Sequence, residues 1–226
     1  MAGHAGHAGH AGYVVTGGPG YPTELPLTIQ ESALTAGAWA WAELSLFEVV
    51  GAWVPSSLRP SAKIYFDACS QHHAWRTQLW QQILPAQPLP AAPAHDAVEG
   101  TTAGHKAVLP AELVRPFSDG AARALEALGD LDGDMARLGV YCRVVLPRLV
   151  VGYRSWLQRC SSSSDRPVAR ALGFAVADAT NDWERGTAVM LRYLDGPRGP
   201  EGVLSTAGAS SDVERLLVGQ GLVPGA

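Results

Sequence analysis

Glu43, His72, His73, Arg76, Asp178 and Asp182 are ionisable residues whose spacing brings them onto, or beside, faces that otherwise carry apolar side chains. A helix turns by about 100° per residue, so the face each residue occupies can be read from its position. Between residues 28 and 53, Leu44, Phe47 and Val50 mark an apolar arc, and Glu43, four residues before Phe47, is expected to point inward with them. From 60 to 84 the arc runs through Tyr65, Cys69, Leu79 and Ile83, with His72 and Arg76 close to its centre, His73 near its edge and Asp67 on the opposite, solvated side. Between 165 and 194 the stripe is Val168, Leu172, Ala175, Ala179, Gly186, Met190 and Tyr193, with Asp182 inside it and Asp178 one turn earlier at its edge.

Carboxylates and imidazoles are the nitrogen and oxygen ligands that hold ions such as iron or manganese, and a catalytic ion needs three of them plus open positions. Glu43, His72, Asp178 and Asp182 are therefore the candidate metal ligands, with His73 beside them. Arg76, inward and one turn beyond His72, opposes a divalent ion by Coulomb repulsion. Its guanidinium can instead pair with Glu43 or Asp182, so that none of the three is buried with an unbalanced charge. The metal-free reading is a buried polar network of Glu43, His72, Arg76 and Asp182. A third chemistry is proton transfer by the His72 imidazole oriented by a carboxylate, although inward histidines are more often satisfied core residues.

Four long helices must position these groups. Thr28-Ile29-Gln30-Glu31 fits a capping box, and the first helix should run from it to about Trp53. The second starts near Pro60 and continues to Leu84, where Pro85 and Pro88 stop it; the short link makes the two antiparallel neighbours. Residues 85 to 109, rich in Pro, Ala, Gly and Thr, read as a long crossover, and Ser118 or Asp119 caps a short helix ending near Gly129. The third long helix spans about Gly133 to Cys160 with Pro147 bending it. Its inward stripe is Met135, Leu138, Cys142, Leu146, Leu149, Tyr153 and Trp156, with no carboxylate, and Arg137, Arg148 and Arg159 lie away from it. Asp165 caps the fourth helix, which persists to Leu194, and Ser211-Asp212-Val213-Glu214 reads as the start of a short C-terminal helix. No segment shows sustained two-residue alternation, so the fold class is all-α.

Two pairs of long antiparallel helices joined by a crossover, with Glu43, His72 and Asp182 turned inward, resemble the ferritin-like superfamily over roughly residues 28 to 195. The resemblance implies an up-down four-helix bundle with a long crossover and short extra helices. In metal-binding members one helix of each pair gives a Glu and the other an ExxH motif, so that four carboxylates and two histidines bridge two irons. Glu43 matches the first Glu. Cys69 stands three residues before His72, the third helix supplies no Glu, and neither Asp178-Ala179-Thr180-Asn181 nor Asp182-Trp183-Glu184-Arg185 ends in His. With at most half of the ligand set present, the resemblance implies a bundle of unknown activity that lacks a di-iron centre, needs no cofactor and acts as a binding or interaction module. The alternative is an atypical iron- or manganese-dependent oxidase or oxygenase of the same type.

Composition narrows the partners. The 226 residues include 17 Lys plus Arg against 21 Asp plus Glu, a formal charge of −4 with no basic stripe, which leaves no electrostatic footprint for nucleic acid or an anionic membrane. No apolar run is long enough to span a bilayer and no secretory signal is visible, so a cytoplasmic location is expected. Cys69, Cys142 and Cys160 form neither a disulfide framework nor a zinc ribbon. No Gly-rich phosphate loop precedes a helix, and the small-molecule ligand, if any, is unspecified. Residues 1–26, with His4, His7 and His10 in His-Ala-Gly repeats, read as a flexible tail, 27–195 as the bundle, and 196–226 as a loop and short helix packing on it. Apolar residues beyond one stripe, such as Trp41, Val151 and Phe174, make a homodimer the expected assembly.

Overall fold

The computed structural model describes residues 25–89, 108–161, 163–195 and 199–217. The His-Ala-Gly repeats and most of the expected crossover lie outside these residues. The first helix, α1 (Ile29–Ser56), opens with the capping box: Glu31 N–H donates to Thr28 Oγ1 at 3.2 Å, and Thr28 N–H donates to the Glu31 carboxylate at 2.7 Å. It runs three residues past Trp53, with Pro55 in its last turn, and Ser57 N–H closes the end on the Trp53 carbonyl at 2.9 Å. Helix α2 (Pro60–Gln81) starts on its proline and stops three residues before Leu84. Ser70 on α2 donates to the Phe47 carbonyl on α1 at 3.0 Å, pinning the antiparallel pair.

After Leu89 and Val108, which form an isolated antiparallel bridge, come a single turn α3 (Pro110–Leu113) and α4 (Asp119–Gly129), capped by Ser118. The third long helix is a continuous run built of α5 (Asp134–Val140), a π-helical segment Tyr141–Val145, and α6 (Leu146–Gln158). Pro147 has no N–H, and the π segment absorbs the mismatch: Leu146 N–H reaches back five residues to the Tyr141 carbonyl. Helix α7 (Arg166–Leu194) follows, with Asp165 at its N-cap, although the Asp165 carboxylate accepts from Ser161 N–H at 2.7 Å rather than from the helix itself. Among the described residues there is no strand, and no helix is long and apolar enough to cross a membrane.

The chain end differs from expectation. Residues 199–217 form one helix, α8 (Gly199–Leu217), so Ser211-Asp212-Val213-Glu214 lies inside a helix rather than at the start of one. The cause is tertiary. Val213 and Leu217 are buried, Thr206 donates to the Met135 carbonyl at 3.1 Å, and Gly139 lets α5 and α8 come so close that a Cβ there would lie 2.1 Å from Thr206 Cγ2. Helix α1 packs along α2, α6 along α7 and α2 against α7, while α8 lies on α4 and α5.

The core is aromatic and aliphatic, with Trp39, Trp53, Trp80, Phe66, Tyr153 and Leu146 all fully enclosed. On α1 the inward arc is Trp39, Leu46, Val50 and Trp53. Leu44 and Phe47, expected to mark it, are 37% and 39% exposed. Arg137 is also buried rather than turned away: it donates to the Leu131 carbonyl and to Ser56 Oγ, both at 2.9 Å, and lies over the Trp53 ring.

The two glycine environments give a paired test. Gly139→Ala is expected to lower stability by about 1–3 kcal/mol through overpacking against the stiff Thr206 side chain. Gly173→Ala, mid-helix on α7 with nothing within 4 Å of its added Cβ, is expected to raise stability by about 0.5–1 kcal/mol. Urea unfolding of the two variants checks both signs.

Candidate functional site

The centre of the molecule is a guanidinium. Arg76 projects from α2 and is fully buried, and its Nε and Nη1 donate to carboxylates from two other helices. Nε donates to Glu43 Oε2 on α1 at 3.0 Å, and Nη1 donates to Asp182 Oδ2 on α7 at 3.2 Å and to Asp178 Oδ2 one turn earlier. Glu43 and Asp182 are themselves fully buried, while the Asp178 side chain is 22% exposed. Charge-assisted bonds of this kind are the condition under which a charge is tolerated in a dry core.

Both Glu43 oxygens are engaged by side chains of the core. Tyr153 on α6 donates to its Oε1, and Oε2 meets both Arg76 Nε and His73 Nδ1, the latter at 2.6 Å. Burial alone would raise the Glu43 pKa, but Arg76, His73 and the Tyr153 hydroxyl outweigh it and hold the carboxylate down to about 2. His73 is also enclosed, with Nε2 2.7 Å from the Tyr141 hydroxyl. Burial lowers its pKa, opposed by Glu43 and reinforced by Arg76, so the ring is neutral. A neutral ring fixes the proton: Nδ1–H donates to Glu43 and Nε2 accepts from Tyr141. Arg76 Nη2 lies 2.9 Å from the same Nδ1. Tyr141 and Tyr153 both have raised pKa values, from burial first and then from neighbouring anionic groups, and serve as proton donors.

His72 occupies a different place from the one its spacing suggests. Its side chain is 31% exposed, at the seam between α2 and α7, with Nδ1 2.8 Å from Asp182 Oδ1 and 3.8 Å from Asp178 Oδ1. His73 is the histidine in the core, on the line Phe66, Cys69, His73, Arg76 and Trp80 that buries α2. The structure thus brings together His72, Asp178 and Asp182 at the edge of the cluster, with one ligand atom of each within 4.8 Å of the others. Glu43 stands apart from that trio, on the far side of Arg76.

Chemically the site divides in two. Its inner half, Glu43, His73, Arg76, Tyr141 and Tyr153, is a closed hydrogen-bonded network. Its outer half offers three nitrogen and oxygen ligands, or an Asp182-oriented imidazole, toward solvent. Both Glu43 oxygens are engaged by protein donors, and Arg76 Nη1 already bonds both aspartates. Tyr153 was recognisable as inward, and a buried tyrosine hydroxyl needs a partner, which points to the Glu43 contact. Tyr141 carries no such signal, because it reaches the core only through the π segment.

Glu43 also sets an acid limb. Its ordinary pKa is 4.5 and its value here is about 2, so between these the unfolded chain binds more protons and stability falls as pH drops. Glu43→Gln is expected to be destabilised at pH 7 and to lose much of the dependence on pH below 4.5, read as the urea midpoint from pH 6 to pH 3. An unchanged slope would show that Glu43 is not held down in the folded protein. Comparison with family models, with curated proteins and with solved structures finds no match for this chain.

Proposed function

We propose that this chain is a ferritin-like four-helix bundle in which Arg76 takes the place of metal charge, and that it acts as a binding or interaction module rather than as the carrier of a di-iron centre. The observation that supports this reading is the buried guanidinium itself, donating to Glu43, Asp178 and Asp182. A divalent ion 4 Å from a fixed unit charge would meet a repulsion of about 8 kcal/mol at an effective dielectric constant near 20. The same charge neutralises the carboxylates a metal would otherwise have to neutralise.

The second reading, an atypical metal-dependent oxidase or oxygenase, is favoured by one arrangement: His72, Asp178 and Asp182 could hold a single iron or manganese ion at the outer edge of the cluster. Metal analysis separates the two. The probe is the full chain with His4, His7 and His10 replaced by Gln, expressed in iron- and manganese-replete medium. The expected result is metal far below one ion per chain. Stoichiometric metal that disappears in a folded His72→Ala variant would overturn the first reading in favour of the second.

Charge replacement has a further consequence. Arg76→Ala leaves Glu43 and Asp182 buried without their cation and is expected to cost about 3–5 kcal/mol. Millimolar Mn2+ should recover part of that loss in the variant while leaving the thermal midpoint of the parent unmoved. Mn2+ stabilisation of the parent, or none of the variant, would count against the idea that guanidinium and metal are exchangeable here.

A further inference from the structure

Away from the Arg76 cluster, the seam where the π segment, α7 and α8 meet contains two adjoining cavities. One, of about 340 Å³, lies between the π segment, the start of α6, and α7, with Cys142, Pro147 and Trp183 among its walls. The other, of about 230 Å³, lies open to solvent between α7 and α8 and is almost wholly apolar, with Leu194, Val203 and Ala207 in its walls. Arg143 and Met190 line both, so the two form one groove with Arg143 where they join.

Among the described residues, Arg143 is the only charged one in either lining. Its side chain is exposed, and among the described residues it has no ion pair or hydrogen bond. Arg137 and Arg148, on the same continuous helix, are each engaged, with Ser56 and Glu214 respectively. Its placement follows from Pro147. The π insertion adds a residue to the turn, so that Tyr141 and Cys142 both face inward and Arg143 comes to the lip of the groove. Cys142 adds no negative charge to the wall, since burial pushes its thiol up to about 12. Ser210, which also lines the smaller cavity, has a buried Oγ without a partner among the described residues.

We propose that this groove binds a free amphipathic monocarboxylate, with the carboxylate on Arg143 and the apolar body along Met190, Leu194, Val203 and Ala207. An unpaired guanidinium beside apolar walls that run from buried Met190 to half-exposed Val203 suits one anionic head on a hydrocarbon or aromatic body, and suits neither a cation nor a polyanion. With the head on Arg143 where the two cavities join, the body extends into the smaller one, whose volume of about 230 Å³ is the space it has to fill. The groove shares no charged residue with the Arg76 cluster, so it stands or falls independently of the charge-replacement reading.

Ligand-observed NMR on the full chain tests it with three matched probes: octanoate, 1-octanol and octylammonium. Octanoate should bind saturably and at least about tenfold more tightly than the other two, the scale of one charge-assisted hydrogen bond. Arg143→Gln should lose at least about tenfold in octanoate affinity while octanol is unchanged, and Arg143→Lys should fall between. Because Arg143 is exposed and unpaired, these variants should keep the parent's thermal midpoint, and Glu43's acid limb should be intact in both. Ala207→Phe, which fills the smaller cavity, should weaken octanoate and octanol together; if it misfolds, the Arg143 pair decides. Equal binding of octanoate and octanol, an Arg143→Gln variant with parental octanoate affinity, or no saturable binding would each overturn the proposal.

Discussion

A guanidinium that cannot lose its proton, placed where no water reaches it, imposes requirements on every helix around it. Arg76 must be met by anions, the anions must be oriented, and the groups that orient them must themselves be satisfied. Glu43 comes from α1, Asp178 and Asp182 from α7, Tyr153 from α6 and Tyr141 from the π segment. The four long helices are thereby fixed at a common level along their lengths, a specification that aliphatic packing alone would leave loose. The aromatic layer supports it: Trp39 stacks on Tyr153 at 3.9 Å, which holds the hydroxyl that Glu43 needs.

The π segment is the second device on which this arrangement depends. In an uninterrupted α-helix the stripe Leu138, Cys142, Leu146 would place Tyr141 off to one side. The added residue opens the turn so that both Tyr141 and Cys142 are buried, and it does so where Pro147 would otherwise leave a mismatch in the hydrogen-bond ladder. On the other side of the same seam, Gly186 gives up its side chain so that Tyr65 can approach: a Cβ there would sit 2.1 Å from the Tyr65 hydroxyl, which donates to the Asp182 carbonyl at 2.9 Å.

Much of this was legible in the residues. The capping box at Thr28, the proline starts, the helical periodicity and the inward placement of Arg76, Glu43 and Asp182 all follow from local spacing, because a charge inside an apolar repeat stands out. The failures have distinct physical origins. Helix α1 buries Ala36, Ala38, Ala40 and Ala42 around much of its circumference, so no strong stripe existed to orient it, and the large side chains Leu44 and Phe47 drew the arc to the wrong side. His72 and His73 differ by one residue, and weighting the arc toward Leu79 and Ile83, which are only half-buried, turned the choice between them. Helix α8 has the Gly, Ser and Thr content of a loop, and contact with α4 and α5 makes it helical. A π insertion has no periodic signature at all.

The separation of Arg76 from its acceptors has a bearing on how the chain is made. Its α1 partner lies 33 residues earlier, but Asp178 and Asp182 lie 102 and 106 residues later. As the polypeptide leaves the ribosome, α1 and α2 can pair early across their three-residue link, with Glu43, His73 and Arg76 already facing one another. That nascent hairpin carries a cation whose remaining donors have only water to bond, and water must stay in the seam until α7 has been translated. The drying of the Arg76 seam is thereby coupled to the arrival of α7, the more distant of the two helices that supply its acceptors.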